Sequence, residues 1–223
     1  MSFTIAIDGP AGAGKSTAAR LAAKNLSFIY VDTGAMYRAI ALGLLRNGTD
    51  IENKSELTET LGKMEVSIRY VEGEQHVYLN GEDVSGLIRT ERVSDMTSRS
   101  SAIPEVRAKL TSLQRELAAR ENVLMDGRDI GTMILPDADL KIYLTASVQT
   151  RARRRCLELT QKGEPCSLEE IEKDISERDY RDEHRETAPL RQAPDAVLLD
   201  TSDMTIEEVV AKIVSLAQGR MKS

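Results

Sequence analysis

The chain has 223 residues, of which 41% are hydrophobic and 30% charged, and a formal net charge of -6. That length suits one large domain or one domain with a small insert, and the apolar share is enough for a complete core. The acidic balance argues against binding a nucleic-acid polymer, which needs a net basic face, but leaves room for a local basic pocket that holds small phosphates.

The first predicted element is the apolar run Thr4–Asp8, read as a buried strand. Gly9-Pro10-Ala11-Gly12-Ala13-Gly14-Lys15-Ser16-Thr17 follows and fits G-x-x-x-x-G-K-[ST]. An Ala/Leu-rich helix from Thr17 to Leu26 comes next. Strand, loop and helix in this order are the setting in which the motif cradles a triphosphate. The glycines let the backbone curl so that its N–H groups point inward, and the helix N-terminus adds partial positive charge. Lys15 is expected to reach the β/γ-phosphates, and the Ser16 hydroxyl to ligate Mg²⁺.

A second strand, Phe28–Asp32, leads into Asp32-Thr33-Gly34-Ala35-Met36-Tyr37-Arg38. The helix Gly34–Arg46 carries Met36, Ile40 and Leu44 on one stripe and closes at Asn47-Gly48. The segment from about Leu61 to Arg89 breaks this rhythm. Val66–Val71 and His76–Leu79 read as strands around Glu72-Gly73-Glu74, and Asn80-Gly81 is a hairpin signal, so a small antiparallel insert is predicted. Pro104 opens a helix with Val106, Leu110, Leu113 and Leu117 at helical spacing.

The strand Val123–Asp126 runs into Asp126-Gly127-Arg128-Asp129-Ile130-Gly131-Thr132, and a further strand is Leu140–Leu144. Arg151, Arg153, Arg154 and Arg155 begin a helical stretch. Another helix starts with the capping-box pattern Ser167-Leu168-Glu169-Glu170 and carries Arg178, Asp182 and Arg185 at i, i+4 and i+7, with Arg181 flanking. The strand Ala196–Asp200 and a helix from Thr205-Ile206-Glu207-Glu208 end the series. Strands alternating with helices imply an α/β fold with a mostly parallel sheet. The expectation is a P-loop NTPase three-layer sandwich with a five-stranded parallel sheet, a helical lid at about 151–185 and a small antiparallel β insert. On this scheme residues 1–60 and 90–223 form the P-loop core and 61–89 the insert.

In open parallel sheets ligands gather at the carboxyl ends of strands. The segments after the second and third strands are therefore expected to face the same crevice as the phosphate loop. Arg38 and Arg128 would bring two guanidinium forks suited to bidentate phosphate binding. Asp126 ends an apolar strand as a Walker-B-type carboxylate does, and could hold Mg²⁺ through water. The alternative there is an ordinary Asp-Gly turn residue, and for Arg178, Asp182 and Arg185 a solvated helix face laced with salt bridges. Cys156 and Cys166 lack zinc or redox spacing and are expected to be two reduced thiols; His76 and His184 are isolated, so no histidine metal site is expected. With no charged leader region and no apolar segment near membrane-spanning length, a soluble cytoplasmic protein is expected.

Four segments together make the chain resemble the bacterial cytidylate kinases over nearly its whole length. They are Ile7–Ser16, Asp32–Arg38, Asp126–Thr132 and Glu177–Asp182, with Thr187-Ala188-Pro189-Leu190 beside them. The first is shared by many kinases, whereas the middle two and the extended insert are more specific. The resemblance implies transfer of the γ-phosphoryl group of ATP to CMP or dCMP by a monomeric kinase with no membrane or nucleic-acid partner. It implies that Gly9 to Thr17 and Arg154 hold the ATP phosphates, and that Lys15, Arg128, Arg178 and Arg185 serve catalysis. It assigns Arg38, Arg128 and Arg185 to the acceptor phosphate, and Thr33, Tyr37 and Asp182 to the surroundings of the acceptor and its sugar. Ser98, Arg107 and Asp129 would read the cytosine. Serine is commoner than threonine at position 33 in that family, and Thr33 keeps the hydroxyl. The alternatives are a kinase for UMP, dTMP or shikimate, or a nucleotide-gated switch, which the absence of an N-K-x-D motif disfavours.

Overall fold

The computed structural model describes residues 2–161 and 163–222. In chain order its elements are β1 (Thr4–Asp8), α1 (Lys15–Leu26), β2 (Ile29–Asp32), α2 (Thr33–Asn47), α3 (Lys54–Gly62), β3 (Val66–Val71), β4 (Glu74–Leu79), β5 (Glu82–Asp83), α4 (Glu91–Ser100), α5 (Pro104–Arg120), β6 (Val123–Gly127), a π-helical turn (Ile130–Ile134), β7 (Leu140–Thr145), α6 (Val148–Gln161), α7 (Leu168–His184), β8 (Val197–Asp200) and α8 (Ile206–Met221). The five predicted parallel strands form one sheet in the order β2-β6-β1-β7-β8. β1 is central, with Ile5 opposite Leu124 on one side and Leu140 on the other. Its uninterrupted apolar run follows from that position: Ile5, Ala6 and Ile7 are all fully buried, as strands covered on both faces require. The chain leaves β1 for β2 and later returns to lay β6 and β7 on either side of it. The carboxyl end of β1 is thus a topological switch point, where such sheets bind ligands.

Two compact units divide the chain, Met1–Tyr30 with Arg120–Ser223, and Val31–Ala119. In the first, Ala18, Ala19, Ala22 and Ala23 of α1 join Val209, Val210, Ile213 and Ala217 of α8 and the inward residues of β1, β6 and β7 in one core cluster. The small side chains of α1 let its backbone approach the sheet closely. Each fully buried Ile or Leu in this cluster contributes roughly 1.5–3 kcal/mol of transfer free energy. At the start of α8 the capping box is complete: Thr205 Oγ1 accepts from Glu208 N, and Glu208 Oε2 accepts from Thr205 N. At Ser167 the hydroxyl caps Glu170 N at 3.4 Å without the reciprocal bond.

In the second unit, Met36, Ile40 and Leu44 of α2 are fully buried, as their stripe predicts, and Val93, Thr97 and Ser100 form the buried face of α4. The hairpin insert is a three-stranded antiparallel sheet, β3-β4-β5, inside this unit. Asn80 and Gly81 have φ of 51° and 82°, the paired positive values of a two-residue hairpin turn. The short helices α3 and α4 were not foreseen from the sequence. Each is announced only by its cap, Asn53 accepting from Glu56 N and Thr90 from Val93 N.

Two expectations are corrected. Cys156 and Cys166 are joined as a disulfide with Cα atoms 5.5 Å apart, rather than standing as separate thiols. α6 runs past Cys156, and the chain then reverses into α7, whose N-cap Ser167 follows Cys166; this reversal cancels the sequence gap. Secondly, Arg185 does not continue the face of Arg178 and Asp182. α7 ends at His184, and Arg185 is its cap residue in an extended conformation, with φ -65° and ψ 141°.

Candidate active site

The phosphate loop runs from the end of β1 to the first turn of α1. Gly9 has φ 148°, and a Cβ there would collide with the carbonyl of Leu144 in β7. Only glycine lets the loop leave the strand at this point. Lys15, the first residue of α1, is 5% exposed, and its ammonium donates to the Pro10 carbonyl at 2.6 Å, a loop-internal contact. Burial, then the neighbouring Arg128 charge, hold its pKa well below the usual lysine range, while Asp126, Asp8 and Asp182 oppose that shift.

Ser16 Oγ donates to Asp126 Oδ2 at 2.8 Å, and Tyr30 Oη donates to Asp126 Oδ1 at 2.9 Å. The carboxylate at the end of β6 is therefore turned toward the phosphate loop, beyond what a bare Asp-Gly turn requires. A hydroxyl and a carboxylate this close suit a hard divalent cation, which takes one or two protein oxygens and completes its shell with phosphate and water. Among the described residues no group of three His, Cys, Asp or Glu side chains is placed to hold a metal by itself.

Beyond Asp126, charges alternate. Arg128 Nε donates to Asp182 Oδ2 at 2.8 Å, and its Nη1 donates to Gly127 O at 3.1 Å. Arg185 Nη2 lies 3.6 Å from Asp129 Oδ1, and its Nε donates to Ala188 O at 2.6 Å. Burial would push the Asp182 carboxyl up, but Arg128, Arg178 and Arg185 hold it below the usual carboxylate range. The Asp182 carbonyl also accepts from Leu190 N at 2.8 Å, which ties the Thr187–Leu190 segment to the end of α7. Arg128, Asp129, Asp182 and Arg185 thus form one cluster, with the charges of Arg128 and Asp182 felt at Lys15.

The four arginines at the start of α6 divide by face. The Arg154 guanidinium lies 3.9 Å from the position of a Cβ on Gly14 and donates to Thr201 O at 2.7 Å. Arg151 is 4% exposed and donates to Ala146 O, to Ala11 O of the phosphate loop, and through two nitrogens to Asp179 of α7. It ties loop to helix and is a structural arginine. Arg153 and Arg155 are exposed.

The remaining predicted residues lie in the second unit. Thr33 is the first residue of α2 and is buried, and Asp32 caps that helix by accepting from Ala35 N at 2.9 Å. The Arg38 guanidinium comes within 3.2 Å of the position of a Cβ on Gly34, which Asp32 Oδ1 approaches equally. Arg107, 7% exposed, sits with its guanidinium carbon 5.8 Å from the centre of the Tyr37 ring. Ser98 is half-buried on α4, while Ser100 presents a buried hydroxyl with no hydrogen-bond partner among the described residues.

Sequence reasoning gave no role to Asp8, Tyr30, Arg151 or Asp179. The acidic residue closing an otherwise apolar β1 was the available signal for Asp8. Nothing local marks the partnership of Arg151 with Asp179, which are 28 positions apart.

The sequence model of the cytidylate kinase family matches residues 5–219. A protein named cytidylate kinase from Lactobacillus gasseri is 49% identical over 219 residues, covering 98% of this chain and 95% of that protein. One of the same name from Carboxydothermus hydrogenoformans is 51% identical over 212 residues, covering 95% and 96%. Among solved structures, an uncharacterised protein from Eubacterium ventriosum ATCC 27560 aligns with a TM-score of 0.53 at 12% identity, covering 98% of this chain and 99% of that one. Similarity of this extent, running through every segment described above, makes the chain a member of the cytidylate kinase family.

Proposed function

We propose that the protein phosphorylates CMP and dCMP, using ATP as donor and Mg²⁺ as the accompanying ion. The single observation that carries this is the bond between Ser16 and Asp126 beside a buried Lys15, because it joins a triphosphate loop to the strand that also delivers Arg128 and Asp129. Ser16 and, through water, Asp126 would hold the magnesium ion, which supplies charge neutralisation across the donor phosphates. Gly9 to Thr17 wrap those phosphates, every residue but Pro10 offering a backbone N–H, Arg154 adds a guanidinium, and Lys15 exchanges the Pro10 carbonyl for a phosphate oxygen. An incoming polyanion favours the charged form of Lys15 that burial disfavours.

The acceptor is a phosphate oxygen with a second pKa of about 6 and is already largely anionic, so no strong general base is needed. Catalysis is then positioning and charge neutralisation. Arg38, Arg128 and Arg185 are assigned to the acceptor phosphate, and Arg178 to the group in transfer. Thr33, Tyr37 and Asp182 are assigned to the acceptor's surroundings, and Ser98, Arg107 and Asp129 to the base. Cytosine carries an amine where uracil carries a carbonyl. A carboxylate accepts from the first and repels the second, and sites built this way discriminate by about 10⁴. Residues 61–89 serve as the monophosphate-binding insert and about 151–185 as the lid that excludes water from the transfer. Among the described residues no helix is long and apolar enough to cross a membrane, and we place the enzyme in the cytoplasm as a monomer.

The test is ADP release from ATP and Mg²⁺ with each monophosphate in turn. CMP and dCMP should accelerate it strongly, and UMP, dTMP and shikimate should not. Preference for any of those three would overturn the assignment, and slow hydrolysis that no acceptor accelerates would revive the nucleotide-gated switch.

A further inference from the structure

Asp8 closes β1 one residue before the phosphate loop, is 5% exposed, and has no place in the assignments above. Its two oxygens are both engaged: Oδ1 accepts from Ile130 N and Oδ2 from Gly131 N, each at 2.8 Å. Those amides open the π-helical turn that directly follows Arg128 and Asp129. The approach is close on every side. A Cβ on Gly131 would lie 3.4 Å from Asp8 Oδ2 and 3.2 Å from Cδ of Lys141. One side chain therefore binds the root of the loop that holds the donor to the backbone carrying two acceptor-binding residues.

We propose that the ionised Asp8 carboxylate is a positioning residue that fixes Arg128 and Asp129 for the acceptor by gripping the N–H groups of Ile130 and Gly131. This rests on the assignment of Arg128 and Asp129 to CMP. Only a carboxylate offers an acceptor to both amides. The neutral acid or an asparagine turns a donor toward one of them, leaving a buried N–H unmatched and the turn free to shift. Burial pushes the Asp8 carboxyl up to about 6; the two backbone bonds pull it back, Asp129 raises it and Lys15 lowers it. Tyr143 of β7 also faces it, and its own hydroxyl is raised by burial first and by Asp8 among the nearby carboxylates. The grip therefore weakens in mildly acidic solution.

The test compares the unmodified enzyme with Asp8→Asn. The expected result is a KM for CMP raised roughly tenfold, with the KM for ATP changed much less. The ratio of the two enzymes' kcat/KM for CMP cancels the titration of CMP's own phosphate. It should fall toward one as the pH drops from about 8 to about 5, because protonated Asp8 resembles asparagine. In the unmodified protein the amide resonances of Ile130 and Gly131 should move together with a midpoint near 6, a measurement that stands even if the variant does not fold. A pH-independent ratio, equal losses for ATP and CMP, or amides that do not titrate would each overturn the proposal. An unmodified enzyme that ignores CMP would instead overturn the functional assignment beneath it.

Discussion

Lys15 is a buried cation whose protonation burial and Arg128 both oppose, so it depends on the surrounding Asp126, Asp8 and Asp182 until phosphates arrive. Lys15→Ala should lower kcat by roughly 10²–10³-fold, the scale seen when one preorganised donor to a reacting group is removed; single-turnover rates would reveal a smaller loss. Asp129→Ala should abolish the preference for CMP over UMP, measured as the ratio of kcat/KM, and a preserved ratio would remove Asp129 from base recognition. Arg185→Ala should reduce kcat far more than ATP affinity. Asp182 titrates in the other direction from Asp8. Its pKa is lowered by the three arginines, so its contribution to stability is present above the ordinary carboxylate pKa and is lost as the pH falls below it. Asp182→Asn should therefore cost about 3–5 kcal/mol in denaturant unfolding at neutral pH. The difference from the unmodified protein should shrink in strong acid.

α6 and α7 are held by two devices that join distant parts of the chain. Arg151 bridges the phosphate loop and Asp179 with planar, two-point geometry that a lysine cannot reproduce. Arg151→Lys should leave the sheet intact, raise the KM for ATP severalfold and speed amide exchange in α7. The Cys156–Cys166 disulfide closes a loop with a sequence separation of 10 and is worth at most roughly 3 kcal/mol by chain entropy. Reduction should accelerate exchange at the first turn of α7 while leaving α1 unchanged, and identical exchange in both redox states would show that the link carries no load there. The π-helical turn after Asp129 is a separate device, outside α6 and α7. Its five residues point their first amides at Asp8, which a straight continuation of β6 would not do.

The molecule as a whole carries -6 and still handles polyanions, so attraction must come from local arginines set against an acidic background. Such attraction is screened by salt. The KM for CMP should rise severalfold between about 0.05 M and about 0.5 M salt, measured at fixed Mg²⁺ and pH; a falling KM would mean that the net charge outweighs the cluster, and a flat response that charge does not govern binding. The strands, the hairpin insert, the phosphate loop and the family resemblance were all legible in the order of residues. They depend on local periodicity, turn chemistry and contiguous motifs, which a linear string records. The cap of α7 that turns Arg185 out of the helix, the disulfide, the inward and outward arginines of α6, and the grips of Asp8 and Arg151 were not legible. Each joins groups that lie far apart along the chain or depends on where an element ends, and such pairings exist only once the sheet order has brought β1, β6 and β7 side by side.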